Sequence, residues 1–294
     1  MEHDLYDIRN VKNLMTTFGL SFRKEFGQNF LTDKEIVCAI ADMCASTSDQ
    51  TILEIGPGIG TLTQELARRY KSVYAIEIDK GLIPLLRYTL EDFKNAHVIQ
   101  QDVLKADLMA LWEQEMGRDR VSVCANLPYY ITTPILLKLL KSEVPFESVT
   151  VMVQKEVADR LCAPVGGKDS GAVTAFFAYY GRAEIMLDVP SSSFVPAPKV
   201  DSCVIRLHLY EKKPVVPVDE DLFFKTIRVI FEQRRKTIQN ALILGFPELD
   251  KPAVAEILEH AGIDPLFRGE KLDLPGFARL SDEIGSYIKK PDVL

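Results

Sequence analysis

Thr51-Ile52-Leu53-Glu54-Ile55-Gly56-Pro57-Gly58-Ile59-Gly60-Thr61-Leu62-Thr63 carries a β-rich run through three glycines into a helical stretch. Glycine lets the backbone turn tightly and lets a ligand approach it closely. The same strand-then-helix rhythm repeats through the first two thirds of the chain. Short β-rich runs at Ser72 to Ile76, His97 to Gln100, Val121 to Ala125 and Ser148 to Val153 alternate with helical stretches. These helices are Thr61 to Tyr70, Leu82 to Phe93, Leu108 to Met116 and Pro134 to Lys141, the last with Thr133 as N-cap. The rhythm predicts an α/β fold, a mostly parallel sheet with helices on both faces.

Two longer runs, Ala183 to Val189 and Val200 to Tyr210, follow with no crossover helix between them. They predict a terminal antiparallel hairpin, with Cys203, Ile205, Leu207 and Leu209 on one face of its second strand. Glu211 to Pro217 reads as a proline-stiffened linker. Beyond it the chain is helical at Leu222 to Leu244, Pro252 to Ala261 and Pro275 to Ile288. The expected domains are therefore 1–210, α/β, and 211–294, smaller and all-α.

The glycine spacing is G-x-G-x-G. A dinucleotide fingerprint would place its third glycine at Thr61 instead. Glu54 stands two positions before Gly56; a carboxylate there repels a pyrophosphate and suits a cationic, amine-bearing ligand. Glu77, 21 residues after Gly56, ends the second strand, where an acid accepts bonds from both ribose hydroxyls. Asp102 follows the third strand and can accept from an adenine amine. Gly56, Gly58, Gly60, Glu77 and Asp102 together describe a nucleoside pocket at the sheet's C-terminal edge. Its acidic lining favours S-adenosylmethionine, with its ammonium and sulfonium, over NAD.

Asn126-Leu127-Pro128-Tyr129, followed by Tyr130, comes directly after the strand-like Val121-Ser122-Val123-Cys124-Ala125. Alone it is either an ordinary strand-to-helix turn or a holder for a flat heterocycle with an exocyclic amine. In the second reading the amide and a backbone carbonyl accept from the amine, and the ring stacks on the base.

Composition narrows the class. Hydrophobic content of 47% and charged content of 26% are those of a soluble globular protein. No apolar run is long enough for a membrane span, and the acidic Met1-Glu2-His3-Asp4 does not look like a signal peptide. The five cysteines and four histidines are scattered without metal-ligand spacing, so no metal is expected and a reducing cytoplasm is. A net charge of −7, and 13 Lys and Arg against 15 Asp and Glu (a net of −2) from residue 210 onward, require any RNA contact to be a local cluster.

Taken in order, the glycine loop, Glu77, Asp102 and Asn126-Leu127-Pro128-Tyr129 make the chain resemble the rRNA adenine dimethyltransferases, the family of the KsgA and Erm enzymes. Two further segments carry the resemblance: Lys24-Glu25-Phe26-Gly27-Gln28-Asn29-Phe30-Leu31, and Phe194-Val195-Pro196-Ala197-Pro198-Lys199-Val200-Asp201-Ser202. It implies a Rossmann-like S-adenosylmethionine-dependent fold with cofactor contacts at Asn29, Leu31, Gly56, Glu77, Asp102 and Asn126. Residues 1–45 would then hold a lid over the pocket. Asn126 and a carbonyl of Leu127 or Pro128 would hold the target amine, with Tyr129 and Phe194 stacking on the flipped base. Phe194 alone would read as a core plug; the flanking Pro196 and Pro198 favour a presented ring.

Phe231-Glu232-Gln233-Arg234-Arg235-Lys236-Thr237-Ile238-Gln239-Asn240-Ala241-Leu242 resembles the KsgA branch. That branch implies two adjacent adenines near the 3′ end of small-subunit rRNA as substrate, in a nearly assembled subunit. The alternatives are an Erm-like enzyme of the large subunit and an assembly factor that acts by binding. At helical spacing Ile227, Ile230, Phe231, Ile238, Ala241 and Leu242 share one face. Lys225, Arg228, Arg235, Lys236 and Gln239 gather opposite with Glu232, the cations being candidate phosphate contacts with Arg234. Arg234 falls on the apolar stripe, which predicts a helix break near Gln233. With no extra apolar surface, a monomer is expected.

Overall fold

The computed structural model describes residues 4–20 and 29–289; Lys24 to Gln28 of the motif quoted above lie outside them. In chain order the elements begin with α1 (Ile8–Thr17), β1 (Phe30–Leu31), α2 (Lys34–Asp42), β2 (Thr51–Ile55), α3 (Thr61–Arg69) and β3 (Ser72–Glu77). Next come α4 (Leu82–Thr89), β4 (Ala96–Gln100), α5 (Leu108–Gln114), β5 (Val121–Asn126), α6 (Thr132–Leu140) and β6 (Phe146–Gln154). They are followed by α7 (Lys155–Cys162), α8 (Ala172–Tyr180), β7 (Gly181–Val189), β8 (Phe194–Val195) and β9 (Ser202–Leu209). The chain finishes with α9 (Glu220–Glu232), α10 (Ile238–Gly245), α11 (Lys251–His260) and α12 (Leu274–Ile288).

Seven strands form one sheet in the order β4-β3-β2-β5-β6-β9-β7. β2, β3, β4, β5 and β6 pair in parallel and β9 is antiparallel to β6. Ile52, Val73, Cys124, Met152 and Val204 pack on one face against Val37 and Ile40 of α2 and Leu66 of α3. Leu53, Val123, Val149 and Ile205, one residue out of phase, are equally buried. Both faces are therefore covered, as a parallel sheet requires. Burial on both faces also corrects the one-sided pattern expected of β9, because Val204 is as buried as Cys203. β9 lies between β6 and β7, so the two late strands are neighbours at the sheet's end, as the expected terminal hairpin requires.

Local chemistry sets the helix starts. Asp33, Asp107, Asp219, Thr237, Asp250 and Asp273 each cap a helix by accepting a backbone N–H with the side chain. The expected cap at Thr133 is corrected: α6 starts at Thr132 behind Ile131, which supplies no side-chain cap. Thr132 Oγ1 instead donates to the Pro128 carbonyl at 3.1 Å.

Compactness divides the chain into one unit of 1–158 with 184–209 and another of 159–183 with 210–294. The continuous 1–210 domain expected from sequence is thereby corrected. α8 carries Phe176, Tyr179 and Tyr180, which pack on Phe223 and Phe224 of α9 at ring-centroid distances of 4.6 to 6.0 Å. That aromatic burial groups α8 with the C-terminal helices. The break expected near Gln233 is present: α9 ends at Glu232 with Gln233 as its C-cap, and α10 starts at Ile238.

Candidate active site

Strand order reverses between β2 and β5, since β3 and β4 lie on one side of β2 and β5 on the other. A crevice opens at such a switch point, beyond the carboxyl ends of the strands. One cavity occupies it, lined by the loop after β2, the ends of β3 and β4, and the segment after β5. Asn29, Leu31, Gly56, Gly58, Glu77, Asp102, Asn126, Leu127, Pro128 and Tyr129 all line it. Gly60 and Phe194 do not.

The glycine loop is a shaped floor. Gly58 has φ +60°, and a Cβ there would meet the Phe30 ring at 3.1 Å. Gly60 has φ +93° and packs away from the cavity, where a Cβ would lie 3.0 Å from Thr89 Oγ1 and 3.1 Å from Leu86. That conformation lets the turn close against α4 and start α3.

Two backbone N–H groups hold the buried Glu77 carboxylate. Gly58 N donates to one oxygen at 3.2 Å and Asp79 N to the other at 2.8 Å. Burial raises its pKa, against the pull of these two bonds. Asp102 accepts from Leu104 N at 3.0 Å through one oxygen, and Lys105 Nζ approaches the other at 3.7 Å.

Glu54 is the unusual group. It lines the cavity, is 1% exposed, and its Oε2 is buried with no hydrogen-bond partner. Burial pushes its pKa up to about 8, against the pull of the Thr63 hydroxyl and with a smaller push from the charge of Glu77. A buried carboxyl beside a second one in a cavity wall suits a cation.

Asn126 ends β5, in register with Met152 of β6. The Pro128 carbonyl accepts from Ile131 N and from Thr132 Oγ1, both at 3.1 Å, so the start of α6 occupies it. Of the two carbonyls the sequence offered, Leu127 is therefore the available acceptor. Tyr129 is half-buried, and its hydroxyl lies 2.6 Å from Ser202 Oγ at the start of β9. β1 pairs with β8, setting Leu31 opposite Phe194 and Phe30 opposite Val195. That pairing clips Asn29 and Leu31 to the cavity. It also turns Phe194 inward, 3% exposed among Leu31, Val37, Leu62 and Met152, which corrects its expected presentation as a stacking surface.

Ile78, Asp79, Val103 and Tyr130 also line the cavity, although the motifs did not single them out. Ile78 and Val103 directly follow the strand-end acids, Asp79 comes one residue later, and Tyr130 doubles Tyr129. In the helical unit, Arg228, Arg235 and Lys236 are exposed and make no ion pair among the described residues. Lys225 instead pairs with Glu248 at 3.4 Å and sits over the Phe246 ring. Arg234 pairs with Glu270 and donates to the Lys168 carbonyl at 2.6 Å. Both cations thus have partners within the helical unit, which Arg228, Arg235 and Lys236 lack among the described residues.

Residues 19–278 match the family model described as ribosomal RNA adenine dimethylase. The chain is 46% identical over 288 residues to "Ribosomal RNA small subunit methyltransferase A" of Geobacillus thermodenitrificans, covering 97% of this chain and 98% of the relative. It is 47% identical over 287 residues to the protein of the same name in Bacillus mycoides, covering 96% and 97%. Among solved structures, a dimethyladenosine transferase from Plasmodium falciparum is similar with a TM-score of 0.74 at 26% identity, covering 88% of this chain and 98% of that one. The 23S rRNA methyltransferase ErmE is similar at 0.63 and 26% identity, covering 87% and 100%.

Proposed function

Because the chain belongs to the ribosomal RNA adenine dimethylase family, we propose that it dimethylates the 6-amino groups of two adjacent adenines near the 3′ end of small-subunit rRNA. The observation that carries this reading is the shared cavity: the glycine loop with its acids and the Asn126–Tyr129 segment face the same space.

When bound there, S-adenosylmethionine supplies a methyl carbon on a sulfonium, a good leaving group for an attacking amine. The residues present suit that group. Glu54, whose Oε2 is orphaned in the cavity wall, meets the ammonium. Glu77 has lone pairs left on each oxygen for ribose hydroxyls, and Asp102 accepts from the adenine amine. Ile78 and Val103 supply apolar contact to the base, while Asn29 and Leu31 cover it.

An adenine amine is a poor nucleophile because its lone pair is delocalised into the ring. The Asn126 side-chain carbonyl and the Leu127 backbone carbonyl accept its two N–H bonds. Both favour the tetrahedral nitrogen over the planar one, so they bind the transition state better than the ground state. Tyr129 stacks on the extruded base and aligns it. The nitrogen becomes acidic as it gains charge and releases its proton to water, so the chain needs no strong base. Arg228, Arg235 and Lys236 contact phosphates of the nearly assembled small subunit, met in the cytoplasm by a monomeric enzyme. Among the described residues no helix is long and apolar enough to cross a membrane.

Radiolabelled S-adenosylmethionine incubated with undermethylated small subunits, large subunits and free RNA tests the reading. Dimethyladenine in small-subunit rRNA is the expected product. Label confined to large-subunit RNA would overturn the substrate, and no label in any of them would overturn the activity.

A further inference from the structure

We propose that Tyr130 forms a stacking subsite for the nucleotide next to the target adenine, a flanking base in single-stranded RNA. The inference rests on the methyl-transfer reading above and extends it by one nucleotide. Tyr129 and Tyr130 are the two central residues of a turn closed by Ile131 N donating to Pro128 O at 3.1 Å. The surroundings of these two neighbours differ. Tyr129 is half-buried and tied to Ser202. Tyr130 lines the same cavity yet is 65% exposed.

The backbone that presents this ring is already fixed. Thr132 Oγ1 bonds the same Pro128 carbonyl, and α6 begins at once. Holding the ring at the rim therefore needs only its own two side-chain torsions to be restricted. Ile78, another exposed apolar lining residue at 50%, has no ring and follows Glu77 at the end of β3.

RNA chemistry makes such a ring useful. Extruding one adenine uncovers a face of its neighbour, and an exposed aromatic can cover that face. Every base has a π-face, so the platform tolerates sequence and contributes affinity more than selectivity. Where two neighbouring adenines are modified in turn, the same ring receives whichever of the two is not in the catalytic pocket.

The test compares wild type with Tyr130→Ala, Tyr130→Phe and Tyr130→Trp on undermethylated small subunits. One substrate has intact rRNA, and another lacks the base beside the target. Tyr130→Ala is expected to raise KM about tenfold, with the dissociation constant for S-adenosylmethionine unchanged. Phe and Trp should restore KM, because the ring and not the hydroxyl is used. Removing the neighbouring base should cost wild type a similar factor and cost Tyr130→Ala nothing more.

An unchanged KM in Tyr130→Ala would overturn the proposal. So would a Phe variant as poor as Ala, an additive penalty from base removal, or weakened cofactor binding, which would mark the residue as structural. A wild-type enzyme that transfers no methyl to small subunits would instead refute the activity itself, and the subsite with it.

Discussion

Glu54 combines near-complete burial in the cavity wall with an unpartnered carboxylate oxygen, so its protonation should report what the cavity holds. With its pKa raised to about 8, chiefly by burial, it is largely protonated at pH 7 in the empty protein. A bound cation favours the charged form and lowers that pKa. Binding S-adenosylmethionine near pH 7 should therefore release about one proton from this residue. Titration calorimetry in buffers of different ionisation heat measures it, and Glu54→Gln should abolish the release; release unchanged in that variant would place the proton elsewhere. Tyr129 and Ser202, 73 residues apart in sequence, raise a separate question of alignment. If their 2.6 Å bond orients the ring, Tyr129→Phe and Ser202→Ala should each lower kcat several-fold with little change in cofactor affinity. The double variant should lose no more than either single one, because both remove one interaction. Additive losses in kcat would separate the two residues.

Among the elements, the loop between β2 and α3 depends most on residue type. At Gly60, with φ +93° and Thr89 Oγ1 3.0 Å from where a Cβ would stand, Gly60→Ala faces both backbone strain and a clash. It should lower unfolding free energy by about 2–4 kcal/mol. Gly117→Ala, with φ +64° but open space, should lose only about 1 kcal/mol. Denaturant midpoints compare the two, and equal losses would remove packing from the account.

The acids at the ends of β2, β3 and β4 were legible in the sequence because strand ends and a glycine turn place carboxylates by local spacing alone. The break after α9 was legible for the same reason, since Arg234 cannot continue an apolar stripe. Phe194 was not. Alone it reads as the core plug it is, and the flanking prolines outweigh that reading because its burial rests on β8 pairing with β1, a distant segment that no local pattern encodes. Thr133 failed as a cap because the turn at Pro128 starts α6 earlier than residue preference suggests.

At the scale of the molecule, net charge argues against RNA and the distribution of charge argues for it. The chain carries −7 overall, so attraction to phosphate must come from cations that no internal partner neutralises. α9 and the turn after it sort their cations in this way. Lys225 is held by Glu248 and Phe246, and Arg234 by Glu270 and the Lys168 carbonyl. Lys213 likewise pairs with Glu220 and lies over the rings of Tyr179 and Tyr180. It thereby ties the expected linker into the helical unit that also contains 159–183.

Arg228, Arg235 and Lys236 remain exposed, without such partners among the described residues. Removing one phosphate-binding cation from an RNA interface makes the slope of log affinity against log salt shallower by roughly 0.7–0.9. Arg235→Ala with Lys236→Ala should therefore weaken binding to small subunits and make that slope shallower by about 1.5. Lys225→Ala should leave the slope unchanged, because its charge is already paired. Arg234→Ala should destabilise the helical unit in a thermal melt before it alters the slope. Filter binding of small subunits between low and physiological salt measures the slopes of all three variants. A slope that falls equally in Lys225→Ala would mean that an internal ion pair reads RNA as strongly as the open cations do, and the division of this surface into internal ties and phosphate-binding cations would fail.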